Sequence, residues 1–245
     1  MSKTMNKISS EITETLQQLH ISPATIQQFI QFESRDDFHH LPHDEYEQMQ
    51  SFMQDYTEFQ NLSVLMTNQN SDYWCIYNQG PLMGMICYLD HEESSIEPRY
   101  IHLARFLEIL TQHPQLHDFE DLQQFGFDFP DCTQSLNLPE RDQILTQLST
   151  KLAEATEESH QQQLAFCIMA LISADQLPQY LYPFLDSEDM FIQERAIEYI
   201  GLHQDLNAFE KIEHLTASAM HNGKMAAQRV LNKLRSKYLH HGREK

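Results

Sequence analysis

Histidine set beside carboxylate is the pattern in this chain that most invites chemistry. Fourteen histidines occur in 245 residues, and two groups lie next to acids. His39, His40 and His43 stand among Asp36, Asp37 and Asp44, and His91 is followed by Glu92 and Glu93. Imidazole and carboxylate both ligate zinc. His91-Glu92-Glu93 has the His-x-Glu spacing of zinc deaminases, but the Pro-Cys-x-x-Cys that completes such a site does not follow. Neighbouring histidines point apart on a helix, and Pro42 interrupts the first group. His113 and His117 have helical spacing with Pro114 between them. These groups read as solvated loops, His240-His241 reads as a helix end, and no metal is expected.

Other reactive signatures are missing. The six glycines form neither G-x-G-x-x-G nor G-x-x-x-x-G-K-[ST], and no serine sits in G-x-S-x-G. The chain is expected to have no catalytic residues and no cofactor.

What remains is acid. Asp90, Glu92 and Glu93 follow an apolar strand, and Asp186, Glu188 and Asp189 fall at a helix–helix corner. These six are the expected partner-binding residues. The plainer alternatives are a polar turn for the first three and helix capping for the second. With 36 acidic and 16 basic side chains the formal charge is −20. Residues 211–245 hold eight basic and two acidic side chains, a local +6, which leaves residues 1–210 at −26. A field of that sign repels nucleic acid and speeds encounter with a cationic protein. The basic end suits the carboxyl terminus of a last helix.

No membrane partner is expected. The longest apolar run, Leu164 to Ile172, has 9 residues where about 20 are needed to span a bilayer. The first residues have no apolar core behind their lysines, which predicts no secretory leader. Cysteines 75, 87, 132 and 167 form no CxxC pair, as expected of reduced, mostly buried thiols in the cytoplasm.

The elements that must carry these residues change period along the chain. Ile8, Ile12, Leu16 and Leu19 predict one helix, Ser22-Pro23 starts a second through Phe32, and a third from Pro42 turns Tyr46, Met49, Phe52, Met53 and Tyr56 inward. Residues 62–67, 73–78 and 82–89 predict an antiparallel meander, with Trp74 expected in its core and, as the alternative, an aromatic anchor facing a partner. Helical spacing returns from Ile101 to Leu110. Residues 113–139, with three prolines, read as a linker. Beyond it, helices are predicted at 140–157, 160–173, 177–185, 188–203, 206–221 and 223–239. Ala165, Ala196 and Ala227 recur every 31 residues. In step with them run Ile168, Tyr199 and Val230, and also Met169, Ile200 and Leu231. A small residue with bulky apolar ones at +3 and +4, repeated at that period, predicts stacked helix pairs.

Two resemblances follow from these segments. Leu181 to Gly201, with its Leu-rich helix, acidic turn and Arg195-Ala196-bearing helix, resembles a HEAT repeat over about residues 160–239. That implies a surface for holding protein or nucleic acid. Leu41-Pro42, Asp72-Tyr73-Trp74, Gly80-Pro81-Leu82-Met83-Gly84, Tyr88-Leu89-Asp90-His91-Glu92 and Phe106-Leu107 together resemble the SUKH superfamily of cell-wall-assembly-regulator type, over about 40–112. Where that family carries Asn-Gly-Gly after the early helix, this chain has Gln60-Asn61. The resemblance implies an α+β fold and, in bacteria, an immunity protein that neutralises a toxin.

The expected architecture is α+β: a SUKH-like domain at 1–112, a linker at 113–139, and an all-α HEAT-like stack at 140–245. The expected function is binding and masking of a basic toxin domain, with the oligomeric state left open. Two rivals stand beside it: a scaffold joining cellular proteins, and a nucleic-acid-binding stack or enzyme of the glycosylase type that rests only on the basic end.

Overall fold

The computed structural model describes residues 9–92, 94–132 and 136–241, with side chains through Ser236. The chain divides into two units, Met1–Phe129 and Pro130–Lys245. The division falls inside the segment read as a linker, and residues 113–129 belong to the first unit.

The first unit is mixed α and β. Helix α1 (Ser10–Gln18) begins at Ser9, whose hydroxyl accepts the Glu11 amide at 3.2 Å, and buries Ile12 and Leu16 one turn apart. Helix α2 (Pro23–Gln31) begins at Ser22, with Pro23 in the first turn where its missing amide costs nothing. Helix α3 (His43–Gln54) follows strand β1 (His39–His40). Strands β2 (Leu62–Thr67), β3 (Tyr73–Tyr77), β4 (Ile86–Leu89) and β5 (Pro98–Tyr100) complete an antiparallel sheet in the order β1-β2-β3-β4-β5. Helix α4 (Leu103–Gln112) buries Leu103, Phe106, Leu107, Ile109 and Leu110. Helices α1 and α3 pack on β2, and α4 packs on β5.

Trp74 sits at the centre of this unit, 1% exposed. Its ring lies 4.7 Å from Phe106, 4.8 Å from its cross-strand partner Tyr88 and 6.0 Å from Tyr100. Helix α5 (Phe119–Phe125) adds Phe119, stacked on Tyr88 at 4.3 Å. Arg99 takes up the register shift between β4 and β5. It lies over Phe119 and Phe127, and its carbonyl accepts the amides of Asp128 and Phe129. The segment after α4 is thereby tied to the sheet edge.

Three features depart from the sequence expectation. Residues 82–85 form a turn and not the start of a strand, because Gly80 and Gly84 adopt φ of 80° and 88° and the Gly84 amide bonds Tyr77 O at 2.8 Å. Phe52 and Tyr56 face outward, 44% and 42% exposed. Cys75 and Cys87 are buried free thiols, as expected, and the strand register makes them cross-strand partners. The two loops read as separate and solvated are joined. His117 Nδ1 meets Asp36 at 3.0 Å, and Arg35 donates to the carbonyls of Leu116 and Leu110 at 2.6 and 3.0 Å.

The second unit contains helices only among its described residues: α6 (Arg141–Glu154), α7 (Glu158–Leu171), α8 (Leu177–Tyr180), α9 (Met190–His203), α10 (Phe209–Ser218) and α11 (His221–His241), with short 3-10 turns between them. Helix α6 packs on α7, α9 touches both α7 and α11, and α10 packs on α11. All nine residues of the three phased columns are buried. Close approach has a visible cause at Gly201, where a β-carbon would come within 2.8 Å of Val230 Cγ2. Buried Gln193 links successive helix pairs, donating to Leu185 O at 3.0 Å and accepting the Met220 amide at 2.8 Å.

Candidate partner-binding site

The acidic turn at Asp90 is positioned by strand register. Tyr73 pairs with Leu89, so Asp72 just before β3 comes beside Asp90 and His91 just after β4. Buried Asp72 is the organiser. Its Oδ1 accepts the His91 amide at 2.9 Å and faces His91 Nδ1 at 2.7 Å, and its Oδ2 accepts Asn68 Nδ2 at 2.6 Å. Asn68 Oδ1 in turn accepts the amides of Asn70 and Asp72, closing the β2–β3 turn. Burial pushes the Asp72 carboxyl up, but the hydrogen bonds from His91 and Asn68 outweigh it and hold the acid below its usual range. The hydrogen bond to Asp72 raises the His91 imidazole. Tyr88 is held protonated by burial and by the Asp72 charge.

Within the turn, Asp90 is partly committed to structure. Its Oδ1 accepts the Glu92 amide at 2.8 Å and its carbonyl accepts the Ser94 amide at 3.2 Å. Glu92 is exposed, and Glu93 lies outside the described residues.

Beside this turn lies a hollow of about 310 Å³ lined by Met49, Phe52, Phe59, Tyr73, Leu89, Asp90 and His91, with Ser71 and Ser94 at its margin. A wider open groove of about 1490 Å³ shares Met49, Ser71 and Tyr73 with it and continues past Glu45, Leu41 and His39 to Ile30 and Glu33. Burial raises the Tyr73 phenol, and nearby Glu45 adds to the shift. Among the described residues lining both hollows there are three carboxylates, Glu33, Glu45 and Asp90, and no lysine or arginine. The floor carries His40, whose Nε2 lies 3.2 Å from Phe32 O and whose ring meets Phe29 edge-on at 4.7 Å. Burial lowers this imidazole and keeps it neutral. His40 is therefore a part-buried strand residue, where the sequence reading had a solvated loop.

The second acidic group sits in the other unit and is largely engaged there. Asp189 caps α9, its Oδ1 accepting the amides of Phe191 and Ile192 at 2.8 and 3.0 Å. Asp186 pairs with Lys211, while Glu188 is exposed. Two arginines of the basic end are likewise paired: Arg229 meets Glu198 at 3.0 Å and Arg235 meets Glu213 at 2.9 Å.

Chemically, Asp72 orients the His91 imidazole at the edge of the small hollow, and among the described residues the hydrogen bonds of His91 go to Asp72. The remaining features are a small, mainly apolar hollow, a wider groove of mixed lining and three carboxylates along them, which suit recognition. Sequence reasoning missed the small hollow because Phe52 was turned inward. It missed Asp72 because the contact depends on pairing 19 residues apart. Comparison with protein-family models, curated proteins and solved structures finds no match. Among the described residues no helix is long and apolar enough to cross a membrane.

Proposed function

We propose that this chain is a non-catalytic binding protein that captures a cationic protein and masks its basic surface, in the manner of a cytoplasmic bacterial immunity protein acting on a toxin. The observation that carries the reading is the pair of adjoining hollows of the first unit, the smaller lined mainly by Met49, Phe52, Phe59, Tyr73 and Leu89, the two together offering three carboxylates and no lysine or arginine among their described lining residues. That unit holds twenty acidic and five basic side chains, a net −15, so the local field reinforces those carboxylates. Steering of this kind raises association rates, and aromatic anchors such as Phe52 supply contact area. The SUKH-like motifs on β3, β4 and α4 support the immunity assignment.

A scaffold function draws support from the second unit, whose buried columns at 31-residue spacing are what stacked helix pairs would bury, and such stacks offer faces for holding protein. The engagement of Arg229 and Arg235 with Glu198 and Glu213 weighs against a nucleic-acid-binding end. Co-expression with the product of the adjacent gene tests the immunity reading. A stoichiometric complex that abolishes that protein's toxicity is expected, and a neighbour without toxicity or affinity moves the balance to the scaffold.

A further inference from the structure

Two helix starts in the first unit bring together a ligand set that takes no part in partner recognition as described above. Glu11 stands in the first turn of α1, and His43 opens α3 with Glu47 one turn further on. The i, i+4 spacing puts His43 and Glu47 on one helix face. His43 Nδ1 lies 3.2 Å from Glu11 Oε2, and its Nε2 lies 3.8 Å from Glu47 Oε2. One donor atom from each residue lies within 4.8 Å of the other two. A tetrahedral zinc ion with bonds of about 2.0–2.1 Å spaces its donors about 3.3 Å apart. Only one imidazole nitrogen faces a given ion, so the His43 ring and one glutamate must turn to bring the three donors from within 4.8 Å to that spacing, and all three side chains are about half exposed and have room to do so.

We propose that Glu11, His43 and Glu47 bind one Zn²⁺ ion, with water completing its coordination. The donor set selects the metal class. Calcium takes about six to eight oxygens and magnesium a rigid octahedron of them, more than two carboxylates supply, whereas imidazole suits zinc and its neighbours. The ion joins the first turns of α1 and α3 and removes the repulsion between two glutamates held either side of one imidazole. Its role is that of a clamp on the amino-terminal helix. The sequence places His43 among Asp36, Asp37 and Asp44; the fold gives it Glu11 and Glu47 instead.

Calorimetric titration of the chelator-treated full chain with zinc chloride tests this. One site per chain is expected, weakened at least about tenfold in His43→Ala and in Glu47→Gln, and unchanged in His113→Ala. Cobalt in place of zinc should give a visible d–d band that the same two variants lose. Both altered side chains are about half exposed, so the variants retain the fold, which circular dichroism checks. Absence of zinc binding overturns the proposal. So does undiminished binding in His43→Ala, which would put the ion on others among the fourteen histidines.

Discussion

Asp72 and His91 hold each other across the open end of the β3–β4 hairpin: the His91 backbone amide donates a hydrogen bond of 2.9 Å, and its imidazole lies 2.7 Å away, both at the same carboxylate oxygen. Because His91 is raised, its contribution is full below its unfolded value near pH 6.5 and fades as pH climbs through the folded value. Because Asp72 is lowered, its contribution is present above about pH 3.9 and is lost as pH falls through its folded value. The turn is held most firmly between those limits, about pH 4 to 6.5. Proton NMR should show His91 titrating above an ordinary histidine, and Asp72→Asn should bring it back. A His91 titration that ignores that substitution rules out the coupling.

His40 and His203 behave oppositely. Burial lowers both, so each favours the fold above its unfolded value near pH 6.5, and that support is withdrawn as pH falls toward the folded value. Neither ring nitrogen of His203 has a hydrogen-bond partner among the described residues. His203→Leu is expected to raise stability by on the order of 1 kcal/mol and to flatten the loss between pH 7 and 5. Urea unfolding at both pH values measures this, and a destabilised variant would show that the imidazole is satisfied.

Gly201→Ala puts a methyl group 2.8 Å from Val230 Cγ2, on a β-branched side chain with little freedom to move. Overpacking outweighs the gain in helix propensity, for a net cost of about 1–2 kcal/mol. Val230→Ala should relieve the clash, so a double-mutant cycle is expected to show coupling. Additive effects would mean that α9 and α11 do not approach there.

Phe52→Ser should leave thermal stability nearly unchanged, since the ring is 44% exposed, while weakening partner capture by about tenfold or more. Loss of stability with intact capture would reassign Phe52 to the core.

The sequence reads well where one helix face repeats. The columns through Ala165, Ala196 and Ala227 are buried because a period near 3.6 within helices and 31 between them leaves no other arrangement. It reads poorly where side chains exceed the face available. On α3, Tyr46 and Met53 lie about 20° apart around the helix and are buried, whereas Phe52 is about 100° from Met53 and faces out. Strands β1 and β5, two and three residues long, have no period to detect. The site was visible as an acidic run at Asp90 and Glu92. Its organiser Asp72 and the ligand set at Glu11 and His43 depend on chain segments far apart in sequence, which local pattern does not encode.

If the negative, partly apolar hollows of the first unit capture a cationic protein, the rate of capture must follow their charge. Surface plasmon resonance with the product of the adjacent gene tests this, comparing the parent with Glu45→Gln/Asp90→Asn/Glu92→Gln at low and high salt. The parent should bind one to one, with an association rate that falls steeply as salt rises, and the triple variant should associate slowly at both salts. Equal rates for both proteins at every salt concentration, or no complex with the parent, would contradict the account.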